Sequence, residues 1–381
     1  MGDTMKKTGK LIIICFISFF ICGKMVHAEE VYTSSLDSID LEEIENSLES
    51  LLGGETFSFK EAVSGLIRGE IPFTMESVGE LIWDSLFAGF AEQKNTFVHI
   101  LVIIIVAALF NNFSSVFESG QVSEISFYVI YLLMFAILIQ SFMSLAVLTT
   151  QTLNGIISFM KLLLPAYMVT VAFASGSTSA VMFYEITLMI ILVVQWILVY
   201  FIVPAINIFL VLSIVNHLSK ESFLNKMSKL VKDIVNWTLK TLTGAVIGIN
   251  IIQGLIAPMV DAVKANLINK TVSAIPGIGS AFNSVTEIVL GSAVLIKNSI
   301  GVAGMIAILL ICGAPVIRLC VTSFMYKLLS AAVQPIADKR VGSCIDDAGT
   351  AVWLLLRVLI SGVVLFLITL ALIAGGTNRG Y

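Results

Sequence analysis

"VMFYEITLMIILVVQWILVYFIVPAINIFLVLSIV" fills positions 181–215, a run of 35 residues with one charged side chain, Glu185, and one proline, Pro204. A membrane helix needs about 20 apolar residues, so this run is too long for a simple crossing and too apolar for a water-facing helix. Pro204 removes a backbone donor and clashes with the preceding turn. The run is therefore expected to bend there into two short membrane-inserted helices, which lipid tolerates where neighbouring protein satisfies the freed backbone groups.

Working outward, the whole chain has the same character. Of its 381 residues 57% are hydrophobic and 13% charged, with mean hydropathy +0.98, whereas soluble domains are about a quarter charged. An all-α polytopic membrane protein is the fold class that follows. Further apolar spans are expected at 97–113, 125–148, 153–173, 181–203, 239–257, 288–317 and 352–373, giving about seven to eight membrane-inserted helices. The net charge of −4 gives no case for a nucleic-acid partner.

The N-terminus reads as a targeting device. Lys6, Lys7 and Lys10 precede an apolar run from Leu11 to Cys22, and Val26-His27-Ala28 puts small residues at the −3 and −1 positions of a cut after Ala28. An uncleaved anchor is the alternative. Beyond it, eight acidic residues fall between Glu29 and Glu49, with no lysine or arginine before Lys60. Leu41, Ile44, Leu48 and Leu51 recur at helical spacing, so an acidic amphipathic helix is expected, stopped by Gly53-Gly54. A second helix opens at Ser58 with Glu61 three residues on, a capping pattern. A third stretch presents Val78, Leu81, Ile82, Trp83, Leu86 and Phe90.

Lysine and arginine set the orientation, because loops on the cytoplasmic side retain them. Lys220, Lys226, Lys229, Lys232 and Lys240 form one basic cluster, and Arg318, Lys327, Lys339 and Arg340 a second. Both are expected on the cytoplasmic side. If Glu29 starts outside, an odd number of crossings must precede Lys220, yet four clear spans precede it. These readings divide the chain into a signal peptide (1–28), an extracytoplasmic helical segment (29–94), a first membrane half (95–215), a basic cytoplasmic amphipathic segment (216–243) and a second membrane half (244–381).

Charges inside spans are costly and tend to face a bundle interior or a watery path. Lys161, Glu185, Glu287 and Lys297 are the candidate conduit or buried charges. Lys161 and Glu185 fall on adjacent expected helices and can pair; snorkelling of the lysine and an interfacial glutamate are the plainer readings. Between 285 and 305, Gly291, Gly301 and Gly304 offer surfaces where another helix can approach closely. Tight packing without any conduit explains the same residues.

Catalytic chemistry finds no footing. Outside the signal the histidines are His99 and His217, 118 residues apart, so no HExxH pair exists, and no P-loop is present. Gly277 and Gly279 follow a proline and lack the third glycine of a dinucleotide fingerprint. Cys312, Cys320 and Cys344 show no CxxC spacing. No cofactor, metal ligand or catalytic residue is assigned.

Three stretches carry a resemblance: "QGLIAPMVDAVK" (253–264), "SAIPGIGSAFNSVTEIVLGSAVLIKNSIGVAGM" (273–305) and "QPIADKRVGSCIDDAG" (334–349). They resemble the stage III sporulation protein AE family of endospore-forming bacteria. The resemblance implies a multi-pass component of the mother-cell membrane facing the forespore, within a secretion-like channel complex that supports late forespore gene expression. It implies as partners the other stage III sporulation A proteins and stage II sporulation protein Q, with an ATPase-like AA component supplying energy. It supplies no catalytic residues and leaves a homo-oligomer open. Two functions stay open on the residues: a channel- or permease-like subunit, favoured by the intramembrane charges, and a non-conducting scaffold, for which the glycine seams suffice. "SFMKLL" (158–163) and "SFMYKLL" (323–329) echo one another, as the halves of duplicated transporter folds do.

Overall fold

The structure is a computed structural model and describes residues 42–52, 57–70, 75–114, 120–175, 179–218, 224–272, 279–335 and 338–376. The expected signal peptide and the residues before Glu42 lie outside the described residues, as do Gly53-Gly54 and the side chains of Glu185 and Glu287. Every described element is helical.

Two short helices come first. α1 (Glu42–Leu52) turns Ile44 and Leu48 inward, as the spacing of its apolar residues dictates. α2 (Phe59–Ile67) starts where the Ser58 hydroxyl accepts the Glu61 amide proton at 3.2 Å. It stops at Gly69, whose φ of 78° is open to glycine at no steric cost.

α3 (Met75–Ser114) contains no proline and merges two expected elements, the third amphipathic stretch and the first span, into one 40-residue helix. α4 (Gly120–Ser175) does the same for 125–148 and 153–173. The polar residues between those spans do not form a turn. Thr149, Thr150 and Thr152 instead donate their hydroxyls to the carbonyls of Leu145, Ala146 and Leu148, four residues back, so they are satisfied inside an unbroken helix.

The opening run is resolved differently again. α5 (Ser179–Ile197) passes through a π-helical turn, Leu198–Ile202, into α6 (Val203–Leu218). Pro204 is the second residue of α6, and the wider π-helical turn lies directly before it, where the missing N–H falls. α7 (Asn225–Val272), α8 (Gly279–Val333) and α9 (Lys339–Gly376) complete the bundle.

Among the described residues five helical stretches are long and apolar enough to cross a membrane: Trp83–Val106, Tyr128–Ala172, Ile186–Leu218, Ala293–Val333 and Lys339–Ala371. This is fewer than the seven to eight insertions expected: 125–148 and 153–173 fuse into one helix, and 239–257 is not among the five. Three of the five precede the lysine cluster of α7, an odd number where four had been expected.

α8 and α9 form the most extensive helix pair. α8 also packs on α2, α3 and α4, and α9 on α4, α6 and α7. α4 and α8 run antiparallel. The Tyr326 hydroxyl bonds Ser141 at 2.7 Å, and further along Leu163 and Tyr167 face Gly304 and Gly301. Between them the core is filled by apolar side chains with no exposure, Leu153, Ile156, Phe159, Leu163 and Leu359 among them. α1 and α2 pack on the same bundle: Leu51 touches Gly155, and Phe59 meets Phe159 edge to face at 6.3 Å.

Candidate functional site

The first turns of α9 concentrate polar chemistry that most of the bundle lacks. The helix begins at Asp338, whose carboxylate accepts the Arg340 backbone N–H at 2.8 Å and the Arg340 guanidinium at 3.1 Å. An aspartate so placed caps orphan amides of the first turn. Burial alone would raise the pKa of this carboxyl; the bonds from Arg340 outweigh that and hold it below the usual carboxylate value.

One turn on, small residues let α9 approach α8. Ser330 of α8 donates to the Gly342 carbonyl and Ser323 to the Gly349 carbonyl, both at 2.9 Å. A Cβ at Gly349 would stand 3.1 Å from that of Tyr326, so the position has little room for a side chain.

Between these glycines lie Asp346 and Asp347, which point to different neighbours. Asp346 accepts the Lys327 ammonium of α8 at 2.7 Å in an exposed pair, 42% and 47% accessible. Asp347 faces α6: Oδ2 lies 2.7 Å from His217 Nε2 and also accepts the Ser213 hydroxyl. His217 and Asp347 are only 22% and 27% accessible, and Lys232 of α7 adds a longer-range attraction to the same carboxylate. Beside them Tyr131 of α4 donates to the Ile214 carbonyl at 2.7 Å. Four helices therefore converge on a junction around one carboxylate.

Both Ser213 and His217 address the same Asp347 oxygen, so the serine is not hydrogen-bonded to the histidine and the set is not a hydrolytic triad. What the arrangement can do is clamp α6 to α9 with a charge-assisted bond. Among the described residues no three His, Cys, Asp or Glu side chains are placed to hold a metal.

The residues singled out from the sequence lie elsewhere. Lys297 is fully buried, and its ammonium donates to the Ala374 carbonyl at 3.3 Å, in the last turn of α9. There a cation meets the negative end of the helix dipole. Lys161 is exposed on α4, and no ion pair reaches it among the described residues. A Cβ at Gly301 would lie 2.8 Å from the Tyr167 hydroxyl, and at Gly304 2.5 Å from Leu163 Cδ2, whereas at Gly291 none of the described residues lies within 4 Å. Gly301 thus makes room for a fully buried phenol.

The junction itself was not read from the sequence. Its signal was Ser213 and His217, four residues apart and so on one face of an otherwise apolar helix, together with the adjacent acids in "CIDDAG".

A profile of the stage III sporulation protein AE family matches residues 57–377. The stage III sporulation protein AE of Bacillus subtilis (strain 168) is 22% identical over 347 residues, covering 91% of this chain and 87% of that protein. No solved structure matches.

Proposed function

Because the chain belongs to the stage III sporulation protein AE family, we propose that it is a multi-pass subunit of the mother-cell membrane, in the complex that joins mother cell to forespore, with a channel- or permease-like role in late forespore gene expression. Its partners on this reading are the other stage III sporulation A proteins and stage II sporulation protein Q. The lysine-bearing starts of α7 and α9 face the mother-cell cytoplasm. α7 then has to cross as well, since otherwise Lys339 and Arg340 would lie outside, against the positive-inside rule. Six crossings result, three in each half.

The observation that carries the channel-like role is on α4. Within its apolar stretch the helix exposes Gln151, Asn154, Ser158 and Lys161 in one line at three- and four-residue spacing. The bundle axis is filled with apolar side chains, so this stripe lines a path at the surface of the chain, completed by neighbouring subunits. Glu185 and Glu287 are proposed to belong to the same polar route. The scaffold reading draws on the glycine contacts at Gly301 and Gly304, which serve packing alone.

Lys161→Met and Lys161→Arg separate the two. The channel-like role predicts that Lys161→Met co-purifies with its partners yet lowers a late forespore reporter, while Lys161→Arg stays near normal. Normal reporter levels from both, with assembly intact, would leave the scaffold.

A further inference from the structure

Arg357 lies well inside the apolar stretch Lys339–Ala371 of α9. A guanidinium stays charged throughout the physiological range, and a charge within such a stretch calls for a partner. The acids of its own helix are already taken. Asp346 accepts the Lys327 ammonium, and Asp347 is held by His217 and Ser213. No ion pair among the described residues includes Arg357.

Its acceptor is instead a neutral amide. Arg357 Nη1 donates to Asn236 Oδ1 of α7 at 2.5 Å, which fixes the half-buried guanidinium against α7 and leaves its charge uncompensated. A guanidinium carries donors and no acceptor. None of the nitrogens of Arg357 is a buried atom without a partner, so those not bonded to Asn236 open to the surface. With its oxygen turned to Arg357, Asn236 presents amide N–H groups to any third group that approaches.

A second cation stands on the same flank. Lys240 is exposed one turn beyond Asn236 on the same side of α7, and no ion pair among the described residues reaches it. Asp233, one turn before Asn236, pairs with neither cation. Two helices therefore bring donors and positive charge together without a neutralising carboxylate. Such a set selects an anion, and the planar fork of an arginine matches the paired oxygens of a phosphate.

The surroundings are apolar. On the outer line of α9, Trp353 precedes Arg357 by one turn and Ile360, 39% exposed, follows it; Trp237, next to Asn236, is 68% exposed. Apolar surface flanking a cationic centre suits a phosphate that carries hydrocarbon, and basic pockets between membrane helices hold anionic headgroups in this way.

We propose that Arg357, Asn236 and Lys240 form a binding site for a phosphate group on the α7/α9 flank of the bundle. The Arg357 fork takes two phosphate oxygens, Asn236 holds the fork in place and Lys240 adds its charge. An anionic phospholipid and inorganic phosphate share this chemistry. The site stands whether or not the α4 stripe conducts.

Native mass spectrometry of the full chain, purified in detergent and stripped of phospholipid, tests the site with three probes: phosphatidylglycerol, diacylglycerol with the same acyl chains, and inorganic phosphate. The wild-type chain should retain phosphatidylglycerol and not diacylglycerol. Arg357→Gln and Lys240→Gln should each weaken that retention about tenfold, the loss of one charge-assisted contact. Arg357→Gln keeps a donor for Asn236 and Lys240 is exposed, so both variants should keep the wild-type Tm; if Arg357→Gln lowers it, Lys240→Gln alone decides. Retention of inorganic phosphate and not of the lipid, weakened by the same substitutions, supports the site with soluble phosphate as its source. Equal retention of diacylglycerol, binding of either phosphate that the substitutions leave undiminished, or binding of none of the three overturns the proposal.

Discussion

At the scale of single residues, the glycines of α8 are separable by what surrounds them. Gly304→Leu drives a branched side chain into Leu163, and overpacking of this kind costs about 1–3 kcal/mol; Gly291→Leu meets none of the described residues and should cost less. Thermal unfolding in detergent should therefore show a lowered Tm for Gly304→Leu and a near-native one for Gly291→Leu. The two aspartates of α9 differ in the same way. Asp347→Ala strips His217 and Ser213 of a shared, largely enclosed acceptor, and breaking such a pair costs about 3 kcal/mol where burial is substantial. Asp346→Ala removes an exposed pair worth at most about 1 kcal/mol. Denaturant midpoints should rank them in that order. The sequence singled the glycines out because small residues inside an apolar run have few other uses. It hid Asp347, because two adjacent acids look like a solvated face until the fold brings Ser213 and His217 against one of them.

Elements were legible by type and not by extent. Apolar periodicity placed α1 and α2 closely, down to the Ser58 cap. The long helices were cut into pieces because threonine clusters and a proline usually mark turns. Here the hydroxyls of Thr149, Thr150 and Thr152 bond back within α4, and a π-helical turn accommodates Pro204. Thr150→Pro should break what those bonds preserve. It removes an interior backbone bond at a cost of about 3 kcal/mol or more, so the variant should insert yet lose the α4–α8 contacts, read as loss of a disulfide engineered between Ser141 and Tyr326 positions. At the start of α9, Asp338→Ala should cost about 1 kcal/mol. Since Arg340 holds the folded carboxyl below its ordinary value, the cap contributes fully above the usual carboxylate range. Its contribution fades as pH falls through the lowered value, and the variant should lack that part of the acid sensitivity.

For the whole molecule, composition alone pointed to a helical membrane protein, and the two lysine clusters are the basis of the orientation proposed for it. Crossing number was out of reach, because hydropathy records apolar length and not whether two apolar segments share one helix. Each half now shows a long central helix, α4 of 56 residues and α8 of 55, with one of the two echoing stretches, "SFMKLL" and "SFMYKLL", on each. On the proposed six-crossing arrangement, an odd number of crossings in each half would invert the second relative to the first, as in repeat-built transporters. The most direct test of this arrangement is single-cysteine labelling in intact cells lacking Cys312, Cys320 and Cys344. Cysteines replacing the exposed Asn225 and Gln334, which flank the starts of α7 and α9, should resist an impermeant maleimide until the membrane is permeabilised, while one replacing Ser158 should react at once. Labelling of either loop position in intact cells, or protection of Ser158→Cys, would contradict the account.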